Sequence, residues 1–231
     1  DDMEMRPAKI KMGVSKIGGL GKVEGSASWM CGKTIVVAEI KGPEVTSAIS
    51  AAESRRDIEV AVKAVVKPTV GLITEREHEI EEKIVRYVQG ILDFSCPPRT
   101  AITTIVQIVS DDGSLLATTL NAVSVALLDA GVPLYACPAA VSLGMEKGGR
   151  LLLDPDRSEE QHCEATSTHC FLSEGEEEES SEAAAGSGLF LSSTTGATSI
   201  SNVLAGVAMA KQASVCVVQQ MRDLLSHDYQ Q

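Results

Sequence analysis

The sequence predicts an α+β fold, because its segments follow the order β-β-β-α-β-α-β-β-β-β-α, in which one β-α block is echoed by a second. The composition agrees with this order, since 44% of the residues are hydrophobic and only 3% are aromatic. Such usage is typical of compact proteins with buried sheets and small-residue helix packing. A chain of this length can bury a substantial core, and we predict a single domain over residues 1–231.

The first block begins with a β-hairpin. Residues 23–41 are predicted to form two strands around a tight turn at Cys31-Gly32-Lys33, and Gly42-Pro43 closes the second strand. Residues 58–67 alternate apolar and polar side chains before Pro68, which is typical of a strand that packs one face. The start of the chain is therefore predicted to be mostly β.

A helix and a buried strand complete this block. Thr74 can cap the helix over Glu77, and apolar residues spaced by three and four predict about five turns ending near Asp93. These apolar residues are Ile80, Ile84, Tyr87, Val88 and Ile91. After Pro97-Pro98, the β-branched run at residues 100–110 predicts a buried strand.

The stretch DDGSLLATTLNA at residues 111–122 predicts a glycine-tipped turn leading into a second helix, which ends before Gly131-Val132-Pro133. Such a turn can present backbone N–H groups to an anion. The basic side chain that usually accompanies them is absent. The residues alone leave open whether the turn is an anion site without its cation or only a helix cap.

The second block is predicted to contain four strands and a final helix. The strands fall at residues 134–144, 150–154, 162–172 and 188–193, and the helix runs from Ser199 to about Ser226. Small residues are expected on the packed face of this helix, namely Ala205, Gly206, Ala208 and Ala210. Because no glycine fingerprint follows a strand at a helix start, a doubly wound nucleotide-binding fold is excluded.

The formal net charge of −12 argues against a free-standing nucleic-acid binder, because phosphate contacts require a basic surface. Residues 173–187 (SEGEEEESSEAAAGS) contain six Glu and no Lys or Arg, so the remainder is only mildly acidic and leaves room for a basic strip. A segment this polar cannot offset its ordering entropy. We predict a disordered acidic insertion there, which could be a solvated linker or a regulatory acidic patch or phosphorylation site.

The six cysteines include no C-x-x-C pair, which is typical of reduced structural thiols in an intracellular protein. His162-Cys163 and His169-Cys170 are neighbours in a predicted strand and point to opposite faces, so no metal is expected there. No run approaches about 20 apolar residues, and the first residues, DDMEMRPAKIKMG, lack the apolar core of a signal peptide. We expect a soluble protein of the cytosol or nucleus that does not bind membranes.

Clustered carboxylates form one candidate site. Two convergent acids could hold Mg²⁺, and the acids available are Asp154, Asp156, Glu159, Glu160 and Glu164. However, DPDRSEE at residues 154–160 has the composition of a solvated surface turn. No G-x-S-x-G elbow occurs, so the sequence does not indicate hydrolase chemistry.

Basic residues form a second candidate site. Arg76, Lys83 and Arg86 share the first helix, and Arg99 and Lys67 lie on segments expected near its ends. An RNA backbone could lie along these side chains. They could also be ordinary surface charge, paired with acids of the same helix. The acids in question are Glu75, Glu79 and Glu82.

Five blocks in order resemble the RNase PH family, and the resemblance covers nearly the whole chain apart from the acidic insertion. The blocks are GSASWMCGKTIVVAEIKGP (25–43), REHEIEEKIVRYVQGIL (76–92), PPRT (97–100), IVQIVSDDGSLLATTLNAVSVALLDAGVPL (105–134) and LLLDPDRSEE (151–160). The resemblance implies the RNase PH fold, which is similar to domain 2 of ribosomal protein S5 and contains two β-α blocks. DDGSLL with NAxxxALxDAGVP most resembles the non-catalytic RNase PH-like subunits of the eukaryotic exosome ring.

The resemblance also implies that the catalytic positions are degenerate. Active members are phosphorolytic 3′-exoribonucleases whose corresponding turn resembles DGGTRT, and its arginine holds the attacking phosphate. Aligned through Gly113, that arginine falls on Leu115, which offers neither charge nor donor. Active members carry two catalytic Asp residues six apart, and Glu160 and Thr166 stand at those positions here. Glu for Asp moves the head group by about 1 Å, and Thr cannot act as a general acid or a Mg²⁺-binding carboxylate.

One basic residue matches the active members. Arg76 lies in an R-x-x-E-I frame and corresponds to an arginine that active members use near phosphate and RNA. This match implies that an RNA-facing surface could persist without catalysis. Arg76 with Glu79 could equally form a structural pair.

The function implied is that of a non-catalytic structural subunit of the RNA exosome ring, supporting 3′–5′ RNA processing and degradation by helping to form the RNA channel. The expected partners are other RNase PH-like subunits in a hexameric ring, cap subunits, a hydrolytic nuclease and RNA, in the nucleus, nucleolus and cytoplasm. No cofactor is expected. One alternative is an active phosphate-dependent 3′–5′ exoribonuclease in which Glu160 with Asp154 or Asp156 replaces the missing acids, and another is a scaffold that never meets RNA.

Overall fold

The computed structural model describes residues 5–14, 23–45, 61–68, 73–93, 100–172 and 188–228, and it confirms the α+β class. The predicted acidic insertion at residues 173–187 lies outside these ranges. In chain order the elements are β1 (Ala8–Met12), β2 (Gly25–Cys31), β3 (Thr34–Val45), β4 (Ala61–Lys67), α1 (Glu75–Ile91), β5 (Thr100–Ser110), α2 (Leu115–Asp129), β6 (Ala139–Glu146), β7 (Leu151–Leu153), α3 (Arg157–His162), β8 (Cys163–Phe171), β9 (Leu189–Gly196) and α4 (Ile200–Asp228).

The first sheet has the strand order β1-β2-β3-β5-β4. Strands β4 and β5 are parallel, and the other neighbours are antiparallel. A parallel pair requires a crossover connection, and α1 lies in the segment that joins β4 to β5. This placement sets α1 against β4 at one side of the sheet.

The predicted hairpin of β2 and β3 is confirmed, with Gly32 in its turn at a φ of +57° that suits glycine. The predicted end of the second strand is wrong. Strand β3 continues past Gly42-Pro43, and the register of its pairing with β5 shifts between Lys41 and Glu44. The strand therefore absorbs these two residues as an irregularity.

Helix α1 begins where the sequence predicts. The backbone N–H of Thr74 donates to the carboxylate of Glu77 at 2.8 Å and forms a capping box. The apolar stripe of the helix is buried against the first sheet and α2. Its buried residues are Ile80, Ile84, Tyr87, Val88 and Ile91.

Helix α2 is the central element of the molecule. Every residue from Ala117 to Leu127 is buried, because the helix packs against β2 and β3 of the first sheet and β6 and β8 of the second. A helix covered on all sides needs small and apolar residues around its whole circumference. Gly25 lets β2 approach its last turn, since a Cβ there would overlap the backbone nitrogen of Ala130.

The second sheet has the antiparallel order β7-β6-β8-β9. Successive residues of β6 point to opposite faces. Ser142 lines a cleft together with the first turn of α2, whereas a Cβ on Gly206 of α4 would lie 3.2 Å from Leu143 Cδ1. Helices α2 and α4 therefore cover opposite faces of this sheet.

Packing of α4 follows the prediction only in part. Gly206 and Ala210 are buried, but Ala205 and Ala208 are exposed. The packed stripe continues at three- and four-residue spacing through the longer side chains of Val217 and Met221. Small residues alone therefore did not identify the face that meets the sheet.

Helix α4 also tests the expectation that the chain has no apolar segment long enough to cross a membrane. Within the described ranges, α4 is the one helix long and apolar enough to cross a membrane, with a window of mean hydropathy 1.3. The expectation that no apolar run approaches this length was therefore wrong. Of that window, 28% is buried inside the fold, and Ala210, Val217 and Met221 of α4 belong to the hydrophobic core.

Two elements were missing from the sequence prediction. Strand β1 pairs with β2 at the edge of the first sheet, with Ile10 opposite Trp29. The predicted surface turn at residues 154–160 is instead the start of α3, where Asp156 accepts the backbone N–H of Glu159 at 2.8 Å. The capping pattern D-x-x-E was the signal that could have identified this helix.

Candidate functional site

The turn at residues 111–114 is held against two neighbouring elements. Thr34 of β3 donates its hydroxyl to the Gly113 carbonyl oxygen at 2.7 Å and accepts the Asp112 backbone N–H at 2.9 Å. Gly113 has a φ of +89°, and a Cβ there would lie 2.6 Å from the carbonyl oxygen of Pro155. Glycine is required because the turn lies directly against the loop that precedes α3.

Ser114 precedes α2 without capping it through its side chain. Its φ is +53°, and its hydroxyl donates to the Pro155 carbonyl oxygen at 2.9 Å. Its backbone N–H donates to Oε1 of Glu160 on α3 at 2.7 Å. The N-terminus of α2 thus binds an anion, and the anion is a carboxylate of the same chain.

Glu160 owes this position to α3. The Asp156 cap fixes the first turn of α3, and Glu160 follows one residue after the capping-box partner Glu159. Burial raises the pKa of the Glu160 carboxyl, while the hydrogen bond from Ser114 opposes that rise. The carboxylate is therefore partly desolvated and held by a backbone donor.

A cleft of about 330 Å³ opens beside this contact, bordered by α1, the start of α2 and the second sheet. Part of its wall is apolar, part carries hydroxyl groups, and charged side chains complete it. It brings together five of the site residues predicted from the sequence, namely Arg76, Lys83, Leu115, Glu160 and Thr166. The other lining residues are Glu79, Ile80, Ser114, Leu116, Ser142, Thr168, Ser193 and Thr195.

The three positions implied to be degenerate all face this cleft. Leu115 is 4% exposed and contributes an apolar side chain. Thr166 lies on β8 opposite Thr195 of β9 and adds only a hydroxyl. Glu160 alone of the three is ionisable, and Ser114 occupies one of its carboxylate oxygens.

The cations of the cleft are paired with acids. Arg76 Nη1 lies 2.8 Å from Asp111 Oδ2, and Lys83 Nζ lies 2.7 Å from Glu79 Oε1. Arg76 therefore pairs with Asp111 rather than with Glu79. A further arginine, Arg157 of α3, lies 3.1 Å from the same Asp111 oxygen, and no pattern in the sequence had pointed to it.

Two other predicted RNA-binding residues lie elsewhere. The side chain of Arg86 is 77% exposed, lies 3.6 Å from Glu82 Oε2 and does not line the cleft. Its pairing matches the surface-charge interpretation. Arg99 lies outside the described residues.

Asp154 and Asp156 do not line the cleft. Arg6 donates to both carboxylate oxygens of Asp154 at 3.0 Å, and the Cys31 thiol donates to Oδ2 at 2.9 Å. Asp156 is occupied by the α3 cap, and the backbone hydrogen bond from Glu159 lowers the pKa of its carboxyl. Among the described residues, no group of three His, Cys, Asp or Glu side chains could hold a metal ion.

Comparison with known proteins gives a family match and several relatives. The RNase PH family model, described as 3′ exoribonuclease family, domain 1, matches residues 4–133. An exosome complex exonuclease RRP46 homolog from Oryza sativa subsp. japonica is 37% identical over 142 residues, which cover 62% of this chain and 58% of the relative. The homolog from Arabidopsis thaliana is 36% identical over 143 residues, with the same two coverages of 62% and 58%. The chain thus spans less than two thirds of the length of these curated relatives.

Solved structures share the architecture. The crystal structure of rice Rrp46 matches with a TM-score of 0.82 at 28% identity and covers 98% of this chain and 97% of that chain. A chain of the Archaeoglobus fulgidus exosome with RNA bound to the active site matches with a TM-score of 0.70 at 19% identity, covering 94% of this chain and 89% of that chain. At 19% identity, the match to the Archaeoglobus fulgidus chain establishes a shared fold only.

Proposed function

The chain belongs to the 3′ exoribonuclease family, and from this membership we propose that it is a non-catalytic structural subunit of the RNA exosome ring. It supports 3′–5′ RNA processing and degradation, including rRNA maturation and mRNA decay, by helping to form the channel through which RNA passes. The similarity to proteins named exosome complex exonuclease RRP46 homolog supports the exosome part of this assignment. The proposal that the chain is non-catalytic rests on the residues that line the cleft.

The observation that carries the proposal is the chemistry of the cleft at Leu115, Glu160 and Thr166. Phosphorolysis needs a donor that holds the attacking phosphate and an acid that protonates the leaving 3′ oxygen. The Leu115 side chain has no donor, and the Thr166 hydroxyl is too weak an acid to protonate a leaving oxygen at neutral pH. Glu160 is the one carboxylate at these three positions, and it accepts the Ser114 N–H at 2.7 Å. It therefore interacts with the N-terminus of α2.

Contact with RNA is proposed along the rim of the same cleft. The side chain of Arg76 is 51% exposed beside Asp111, and that of Lys83 is 22% exposed beside Glu79. Arg86 and Arg99 are proposed to extend this surface. Few cations on one subunit give weak, salt-sensitive binding, but several subunits around one channel share the affinity. This sharing reconciles an RNA-facing role with a net charge of −12.

The proposed partners follow from the ring. They are other RNase PH-like exosome subunits in a hexamer, cap subunits, a hydrolytic nuclease that degrades the emerging RNA, and RNA itself. The proposed locations are the nucleus, the nucleolus and the cytoplasm. The names of the Oryza sativa and Arabidopsis thaliana relatives support the exosome partners.

Co-purification with mass determination tests the assembly. The chain, tagged and expressed in its own cells, is expected to be recovered with several different RNase PH-like chains in one complex. The reason is that a ring subunit buries its interfaces against non-identical neighbours. Recovery only as a monomer or as a ring of identical copies would contradict the proposal.

A phosphorolysis assay tests the absence of catalysis. Purified chain is incubated with single-stranded RNA, with and without inorganic phosphate, beside an active phosphorolytic exoribonuclease as a positive control. No phosphate-dependent release of nucleoside diphosphates is expected. Release at a rate comparable to the control would favour the alternative of an active exoribonuclease.

A further inference from the structure

The cleft retains positive groups that would attract a small anion. Arg76, Lys83 and Ser114, which stands at the N-terminus of α2, line it. Asp111 and Arg157 lie outside the lining, but Asp111 pairs with both Arg76 and Arg157. A helix N-terminus and two nearby guanidinium groups together form a favourable environment for a phosphate-like ligand. The presence of leucine instead of arginine at position 115 is therefore not sufficient by itself to prevent a phosphate-like ligand from binding.

One carboxylate already occupies the helix N-terminus. Oε1 of Glu160 accepts the Ser114 N–H at 2.7 Å, which is the contact that an anion at this position would make. Glu160 is half-buried and lines the cleft. An entering anion would have to displace a carboxylate that is covalently attached and already oriented, so it would compete at a high effective concentration.

A second carboxylate, that of Asp111, forms ion pairs with two guanidinium groups. Oδ2 of Asp111 lies 2.8 Å from Arg76 Nη1 and 3.1 Å from Arg157 Nη1. The Asp111 side chain is 16% exposed, whereas those of Arg76 and Arg157 are 51% and 55% exposed. The acid is therefore seated between the two arginines, and its position resembles that of a bound oxyanion bridging two cations.

From these two contacts we propose that Asp111 and Glu160 act as internal substitutes for an anionic ligand and determine that the cleft rejects inorganic phosphate. This inference rests on the proposed non-catalytic function and deepens it, since it assigns the rejection of phosphate to two named carboxylates. Around them, the cleft surface offers hydroxyl groups of Ser142, Thr168 and Ser193 and an apolar wall at Leu115 and Leu116. Neutral groups are tolerated there, and oxyanions are repelled.

The experiment is a titration with inorganic phosphate in the absence of RNA, followed through the backbone amide resonances of Ser114 and Leu115. The wild type is compared with Glu160→Gln, Asp111→Asn and the double variant. Each single variant should bind phosphate about tenfold more tightly than the wild type, because a charge-assisted competitor has been removed. The double variant should bind more tightly than either single variant.

The control is Glu164→Gln. Glu164 is exposed on β8 and does not line the cleft, whereas Asp111 pairs with the cleft residue Arg76 and Glu160 accepts the Ser114 N–H. The control therefore removes the same charge four residues from Glu160. Its phosphate affinity should equal that of the wild type. The Gln and Asn side chains retain oxygen acceptors for Ser114 and the arginines, which preserves the local fold.

Unchanged phosphate affinity in the double variant would overturn the inference. So would an equal gain in Glu164→Gln, which would reveal a general effect of net charge. Phosphate binding without RNA is independent of both the co-purification and the phosphorolysis assay. A wild type that already binds phosphate as tightly as the variants would therefore remove this inference while leaving the ring subunit intact, and a failed co-purification would do the reverse.

Discussion

At the scale of single residues, a largely buried ion pair joins Arg6 to Asp154. Arg6 donates to both carboxylate oxygens at 3.0 Å, and the two side chains are 19% and 9% exposed. Asp154 also has a φ of +52°, which is unusual for a residue other than glycine. Burial, followed by the charge of Asp154, raises the pKa of the Cys31 thiol that donates to the same carboxylate. Cys31 is therefore a structural donor here.

Replacing Arg6 with Leu should destabilise the fold strongly. Asp154 would remain largely buried without its cation, and an uncompensated buried charge costs about 3 kcal/mol or more. Urea unfolding monitored by circular dichroism measures this loss. Lys9→Met is the matched control, because Lys9 is an exposed cation on β1 and its loss should change the unfolding free energy by less than about 0.5 kcal/mol. Equal effects of the two substitutions would contradict a structural role for the pair.

At the scale of elements, the local sequence signals of apolar periodicity and helix capping were sufficient to predict several helices and strands. Helix α1 was predicted through Thr74 and its apolar stripe, and β5 from its β-branched run. Strand β1 was missed because five residues with alternating lysines carry little local signal, and its pairing with β2 is a long-range contact. Helix α3 was missed because the acidic residues and the proline of DPDRSEE favour a turn as strongly as they favour the start of a helix.

The two glycines that flank α2 should differ in their response to a methyl group. Gly131 has a φ of +65°, and a Cβ added there would meet no other atom within 4 Å, so Gly131→Ala should cost only about 1 kcal/mol of backbone strain. Gly113 has a φ of +89°, and its Cβ would lie 2.6 Å from the Pro155 carbonyl oxygen. Gly113→Ala should therefore add an overpacking cost of roughly 1–3 kcal/mol. Thermal unfolding of both variants measures the difference.

Gly113→Ala should also disturb the cleft. The methyl group would push the turn away from α3, lengthen the contact between the Ser114 N–H and Glu160, and change the amide resonance of Ser114. Gly131→Ala lies at the far end of α2 and should leave that resonance in place. A Gly113→Ala variant as stable as Gly131→Ala would show that the turn can move without affecting α3.

At the scale of the whole molecule, α2 lies between two sheets while α4 covers the outer face of the second sheet. Apart from β1 and α3, the order of the elements could be predicted from the residues alone. The layering could not, since periodicity does not say which sheet a helix face meets. The resemblance to the RNase PH family supplied the fold and implied that the catalytic positions at Leu115, Glu160 and Thr166 are degenerate. It did not supply the contact of Glu160 with Ser114 or the bridge from Asp111 to Arg157, because these depend on the placement of α3.

The covered second sheet also makes the stability of the molecule depend on pH. His169 of β8 is 0% exposed, its Nδ1 lies 3.0 Å from the Ser192 hydroxyl oxygen, and its Nε2 has no hydrogen-bond partner among the described residues. Burial lowers the pKa of His169 below its ordinary value of 6.5. The unfolded chain therefore binds a proton at His169 more readily than the folded chain does.

The sign of the effect follows from this difference in proton binding. Stability from a neutral His169 is complete above pH 6.5 and is lost as the pH falls from 6.5 toward the folded-state pKa. Over that window the free energy of unfolding should fall by up to about 1.4 kcal/mol per pH unit for this one proton. Chemical unfolding at several pH values between about 8 and 5 should show a steeper acid loss in the wild type than in His169→Asn and His169→Phe, which lack a titratable ring nitrogen. Parallel pH profiles for all three proteins would mean that folding leaves the pKa of His169 unchanged, which would contradict its burial as a neutral imidazole.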